Sequence, residues 1–162
     1  TDEDFPIADL ASDLLGRDES SMLHQKLAFE LNLVSSVSAY LTGDRSPGML
    51  VISGKLNDGV NFLQVEEEIW KIINELKTNG PLESELSKVK NKFETAHVYG
   101  EMSVMNKAMN LAYSELCNDV GDINKELDGY QKVSTQDIKN WVSNFVVETN
   151  LCQLTVKKSQ NG

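Results

Sequence analysis

The sequence predicts an α+β fold in which helices pack on one face of a small, mainly antiparallel sheet. Two features carry that reading. Apolar residues recur at spacings of three and four through most of the chain, and the pattern switches to alternation only around residues 36–41 and again near the end. Between the first alternating run and a second β-rich run lies the cluster Gly43-Asp44-Arg45-Ser46-Pro47-Gly48, which is turn chemistry. At 162 residues and 40% hydrophobic content the chain can bury one sizeable core, so residues 1–162 are expected to form a single domain.

The first helix begins near Pro6, whose fixed φ suits a first turn, and carries Ile7, Leu10, Ala11, Leu14 and Leu15 up to Gly16. A second helix follows Ser20-Ser21 with Met22, Leu23, Leu27 and Leu31 on one stripe and gives out near Asn32. Both are expected to face the core on one side only. Val37, Ala39 and Leu41 then alternate with Ser36, Ser38 and Tyr40, the pattern of a half-buried strand. Met49-Leu50-Val51-Ile52 is apolar throughout, as in a strand covered on both faces, and the two strands read as a hairpin.

After Asn57-Asp58-Gly59, a helix carries Phe62, Val65, Ile69, Ile72, Ile73 and Leu76, with Trp70 beside the stripe, and ends at Gly80-Pro81. From Leu82 the stripe runs Leu86, Val89, Phe93 and Ala96, then beyond Gly100 through Met102, Met105, Met109, Ala112 and Leu116. This is one long helix kinked near Gly100, or two helices divided there. Ile123, Leu127 and Tyr130 form a further block. Ser134, with Asp137 three residues on, has the form of a helix N-cap, and Trp141, Val142, Phe145 and Val146 make the buried stripe that follows. Leu151, Gln153, Leu154, Thr155 and Val156 read as a last strand before the polar tail Ser159-Gln160-Asn161-Gly162. Three strands under this many helices make a thin sheet. Its edges either take partners from outside the chain or are left liable to association.

Twenty-five acidic against 15 basic side chains give a net charge of −10, spread along the chain. Nucleic-acid binding needs a basic face that releases counterions, and Lys88, Lys90 and Lys92 are interleaved with Glu83, Glu85 and Glu94. They read as a solvated helix face, and no nucleic-acid partner is expected. No apolar run approaches the ~20 residues of a membrane span, so the chain as given is expected to be soluble. Thr1-Asp2-Glu3-Asp4 has neither the basic start nor the apolar stretch of a signal peptide, and an excised segment would look the same. Cys117 and Cys152 are too few and too far apart for a disulfide framework or a metal site. They read as buried thiols or, in an oxidising compartment, as one bridge.

No pattern of catalytic chemistry stands out. Zinc hydrolysis commonly uses two histidines four apart on one helix with an acid nearby, whereas His24 and His97 lie 73 positions apart (97 − 24). The pairs Ser20-Ser21 and Ser35-Ser36 lack a strained Gly-x-Ser-x-Gly elbow, and neither cysteine has a histidine near it in sequence. Glu66-Glu67-Glu68 spreads its carboxylates around a helix, and Gly43 and Gly48 bracket a hairpin rather than opening a helix onto a phosphate. Met102, Met105 and Met109 could line a peptide groove, and their helical spacing favours plain core. No catalytic or metal-binding residue is therefore assigned, and no substrate-binding residue can be named.

Leu14 to Tyr40 reads Leu-Leu-Gly-Arg-Asp-Glu-Ser-Ser-Met-Leu-His-Gln-Lys-Leu and later Val-Ser-Ser-Val-Ser-Ala-Tyr. It resembles the C-terminal-type domain of the insulinase (pitrilysin-like, M16) zinc metallopeptidases. Pro47-Gly48-Met49-Leu50-Val51-Ile52 resembles that family's next strand, Gly80-Pro81-Leu82-Glu83-Ser84-Glu85-Leu86-Ser87-Lys88-Val89-Lys90 its following helix start, and Val133-Ser134-Thr135-Gln136-Asp137-Ile138 the opening of its last helix. The resemblance covers almost the whole chain. It implies the LuxS/MPP-like metallohydrolase fold type without its first strands, and a piece of a larger multidomain bacterial chain.

The family's inverted His-x-x-Glu-His zinc motif is absent from this sequence. The arginine and, seven residues later, the tyrosine with which the family often binds substrate match Ala28 and Ser35, which can do neither job. The resemblance thus implies a non-catalytic domain that holds no cofactor and contributes chamber wall and interdomain contacts to a parent peptidase. That parent would carry zinc in another domain, act on peptides and be periplasmic or exported. The other partners implied are further domains of the same polypeptide. The alternatives are a stand-alone scaffold or assembly protein of the same fold, and a module that binds an extended peptide at a sheet edge.

Overall fold

The computed structural model describes residues 4–42, 48–117 and 123–157. The expected turn at Gly43–Pro47, the tail beyond residue 157 and the side chains of Cys117 and Ile123 lie outside the described residues. Helix α1 (Phe5–Gly16) is followed by a π-helix (His24–Glu30), an antiparallel hairpin of β1 (Val34–Leu41) and β2 (Leu50–Leu56), and helices α2 (Phe62–Asn79), α3 (Glu83–Glu101), α4 (Val104–Cys117), α5 (Ile123–Lys132) and α6 (Thr135–Phe145).

Helix α1 is the hub. Its carboxyl-terminal half, Leu10 to Gly16, is buried on every side, including Ser12 and Asp13, where the sequence suggested one core-facing stripe. The reason lies in its neighbours, since β1, α3, α5 and α6 all pack around it. Ser12 Oγ donates to the Asp9 carbonyl at 2.8 Å, and Asp13 accepts from Arg17, so the buried polar groups have partners. Gly16 does more than end the helix. A Cβ there would lie 2.7 Å from the Ala39 Cβ and 2.9 Å from the Ser38 carbonyl carbon, so glycine lets α1 lie directly against β1.

The core has two lobes. Leu10, Leu14, Ile73, Leu76, Leu86 and Ile138 belong to the one where α1, α2, α3, α5 and α6 meet. Leu15, Leu23, Leu27, Val34, Ala39 and Ile72 belong to the one between helices and hairpin. The second predicted helix is wound with i→i+5 hydrogen bonds, as in Leu31 N–H to the Lys26 carbonyl at 3.0 Å. Each such turn holds one extra residue, so the stripe falls behind: Leu23 and Leu27 are fully buried and Leu31 is exposed. Asn32 then takes φ 49°, which turns the chain into β1.

A bulge between Val34 and Ser36 shifts the strand parity, so that Val34 and Ala39 both face inward. Strand β2 runs to Leu56 and is half-buried at best, rather than covered on both faces. The final alternating segment, Leu151–Val156, forms no strand. It leaves a short 3₁₀ turn, Glu148–Asn150, as exposed chain, because the two-stranded sheet offers it no pairing.

The remaining helices begin and end where the sequence placed them. Asn61 accepts from the Leu63 amide at 3.1 Å to start α2, Gly80 ends it at φ 71°, and Glu85 accepts from the Leu82 amide at 2.9 Å to open α3. The α3–α4 break is a division into two helices. It falls at Met102–Ser103, beyond Gly100, in a tight turn closed by Met102 N–H to the Tyr99 carbonyl. Ala96 and Phe145 are exposed, against expectation, as are Met102, Met105 and Met109. The methionines fail to reach the core because the main neighbours of α4 among the described residues are α3 and α5, not the core helix α1.

Candidate functional site

The structure keeps the chemistry-bearing residues apart. His24 opens the π-helix with its ring 5.3 Å from that of Phe29, and His97 lies on α3 with its ring 6.1 Å from that of Phe93. His24 Nδ1 is buried without a hydrogen-bond partner. Among the described residues no three histidine, cysteine, aspartate or glutamate side chains come together to hold a metal ion. Cys152 is exposed and free, so the expectation of a buried thiol fails at that position. Glu68 pairs with Lys71 at 2.6 Å on the surface of α2.

Ala28 and Ser35 occupy neighbouring elements. Ala28 packs against the lobe under the hairpin, and Ser35 sits at the β1 bulge, where its hydroxyl donates to the Lys55 carbonyl at 3.2 Å. Neither presents a charged fork or a phenol toward solvent. The outer face of the hairpin is the more distinctive surface. Ser36, Ser38 and Tyr40 stand opposite Lys55, Ser53 and Val51, with the Ser38 and Ser53 hydroxyls 2.9 Å apart. This makes a small platform of hydroxyls beside an exposed phenol, able to donate to and accept from an extended peptide.

A charged cluster joins the end of α1 to α3. Arg17 pairs with Asp13 at 2.5 Å, and Lys92 pairs with Asp18, which also accepts from the Ser20 amide at 2.8 Å. Burial pushes the Asp13 carboxyl up in pKa, against the pull of the Arg17 hydrogen bond and charge. The Asp13 hydrogen bond raises Arg17 in turn. Burial acts the same way on Asp18, but hydrogen bonds from Lys92, the Ser20 hydroxyl and the Ser20 amide prevail and hold its carboxyl far below the ordinary range. The cluster encloses about 30 Å³, room for about one water molecule. It is a clamp between elements, and its cavity is too small for a substrate. The interleaving of Lys88, Lys90 and Lys92 with glutamates predicts a solvated face, yet Lys92 closes this clamp and Lys90 donates to the Gln131 carbonyl at 2.8 Å. The i, i+4 spacing of Asp13 and Arg17 was a legible signal. Lys92 and Asp18, 74 positions apart, gave none.

Comparison with known proteins agrees with this layout. The fold matches the inactive peptidase domain of a protein designated a zinc protease in Bordetella parapertussis, at TM-score 0.83 and 18% identity over 98% of this chain and 86% of that one. It matches a protein likewise designated a zinc protease in Bordetella pertussis at TM-score 0.78 and 20% identity, over 91% of this chain and 82% of that one. A protease from Helicobacter pylori matches at TM-score 0.82 and 21% identity over 91% of this chain, which spans only 36% of that one. Among curated proteins none matches. The sequence profile described as "Peptidase M16 inactive domain" matches residues 1–93, more than half of the chain. This helix-rich domain with its small antiparallel sheet therefore belongs to the M16 peptidase inactive-domain family, the non-catalytic domains of zinc proteases.

Proposed function

We propose that this chain is one domain of a larger zinc peptidase, forming part of the wall of its peptide chamber and packing against its other domains, while zinc and the hydrolytic residues reside elsewhere in the parent. The observation that carries this is the hairpin. One of its faces is committed to the core through Ala39 and Val34, and the other presents Ser36, Ser38, Ser53 and Tyr40 to solvent. A wall that admits many peptides needs such a surface, polar enough to solvate a peptide backbone and without a pocket that demands one side chain. The half-buried β2 supports the same reading, because its apolar Leu50, Val51 and Ile52 suit a strand with further cover than these residues supply.

The test is the native polypeptide. Detected in its source with an antibody against this chain, it is expected to be several times 18.0 kDa and, once purified, to cleave unstructured peptides in a chelator-sensitive way. In that parent, Tyr40→Glu is expected to raise KM with little change in kcat. A native species of 18.0 kDa would overturn the proposal.

A further inference from the structure

The outer face of the hairpin carries a single formal charge. Strands β1 and β2 read Val-Ser-Ser-Val-Ser-Ala-Tyr-Leu and Leu-Val-Ile-Ser-Gly-Lys-Leu, so Lys55 is their one charged side chain and none of the acidic residues lies in either strand. Leu50, Ile52 and Leu56 pack inward against the lobe under the hairpin, which turns Val51, Ser53 and Lys55 outward. There Lys55 stands exposed opposite Ser36, Ser53 opposite Ser38, and Val51 opposite Tyr40. The ion pairs formed among the described residues engage Arg17, Lys26, Lys71 and Lys92, and none of them takes Lys55.

An extended peptide lying along this face repeats its side chains every second residue, at the same ~7 Å as the strands beneath it. A residue above Lys55 and one above the Tyr40–Val51 pair are then about 14 Å, or about four residues, apart. Between them the Ser38 and Ser53 hydroxyls, 2.9 Å from each other, can serve the peptide backbone. The two ends differ in chemistry. At one, the Lys55 ammonium and the Ser36 hydroxyl are donors for a carboxylate, and at the other the Tyr40 ring beside Val51 offers apolar surface. We infer that Lys55 sets a substrate preference, drawing the carboxylate of an acidic peptide side chain and favouring extended peptides with an aromatic residue four positions away. This deepens the chamber-wall reading and rests on it. The net −10 of the chain sets the limit from the other side, since a peptide with many carboxylates is repelled before it arrives. Solvent screening keeps an exposed pair of this kind modest, so it biases a broad surface without closing it to other peptides.

The test uses the purified parent and three quenched fluorescent peptides that carry glutamate, glutamine or lysine four residues from a phenylalanine. The glutamate peptide is expected to show a KM about 2–5-fold below that of the glutamine peptide, with the lysine peptide higher still and kcat unchanged. Lys55→Gln is expected to erase the glutamate preference and Lys55→Glu to turn it toward lysine, while Lys71→Gln on α2 leaves it intact. Salt at ~0.5 M should bring the three KM values together. Moving the phenylalanine by one residue turns it to the opposite side of an extended chain and should raise KM for the glutamate peptide. Equal KM for the three peptides, or a glutamate preference that survives both Lys55 substitutions, overturns the inference and leaves the chamber-wall reading standing. A native species of 18.0 kDa overturns both.

Discussion

Gly16 offers the sharpest test of how the fold is built. In Gly16→Ala the new methyl would meet the Ala39 amide nitrogen, the Ala39 Cβ at 2.7 Å and the Ser38 carbonyl carbon at 2.9 Å. Two of these are backbone atoms and the third is bonded directly to backbone, so no rotamer change relieves the clash and α1 or β1 must move. Overpacking of this kind costs about 1–3 kcal/mol. Because backbone atoms make the clash, its cost lies in the upper part of that range, about 2–3 kcal/mol, and the roughly 0.5–1 kcal/mol returned by replacing a helical glycine with alanine leaves a net loss of about 1–2 kcal/mol. At ~2–4 °C per kcal/mol for a domain of this size, Tm should fall by about 2–8 °C. Gly100→Ala is the matched control. It also lies in a helix, but nothing stands within 4 Å of the added Cβ, so the propensity gain of roughly 0.5–1 kcal/mol should appear undiminished. Urea unfolding followed by Trp70 and Trp141 fluorescence reads both variants. Gly16→Ala as stable as the parent sequence, or shifted in the same direction as Gly100→Ala, would refute the close approach of α1 to β1.

Leu27→Ala empties a fully buried position in the lobe under the hairpin and should cost about 2–5 kcal/mol in the same urea experiment. Ser134→Ala removes the oxygen that accepts from the Asp137 amide at 3.2 Å, and about 1 kcal/mol of stability should go with it. Lys92→Met should alter acid sensitivity. The folded Asp18 carboxyl titrates below its unfolded counterpart, so its contribution is present above ~pH 4 and is lost as the pH falls below that value. Removing Lys92 should flatten this loss. Because Asp18 and Lys92 are 38% and 43% exposed, solvent screening keeps the effect below about 1 kcal/mol, measurable by comparing urea midpoints at low and neutral pH.

Helix positions, the hairpin and most of the core were legible in the sequence, because they follow from local rules. Leu86 and Val89, Val142, and the caps at Ser134 and Gly80 are fixed by spacing and by backbone chemistry within a few residues. Features set by distant partners were not legible. The apolar look of Met102, Met105 and Met109 suggested core, and only the placement of α4 leaves them exposed. The alternation of Leu151–Val156 suggested a strand, but a strand needs a neighbour to pair with. The π-helix defeated the simple stripe at Leu31, and the Lys92–Asp18 pair joins residues that periodicity cannot connect. For function, the absence of a His-x-x-Glu-His run was readable directly, while the hydroxyl platform emerged only once β1 and β2 were in register.

The central claim is that this domain contributes structure rather than chemistry. Its most direct test is calorimetric titration of the 162-residue chain with zinc, paired with hydrolysis of a quenched fluorescent peptide by the same sample. No stoichiometric zinc binding and no turnover above background are expected. Tight one-to-one binding with turnover that a chelator abolishes would contradict it.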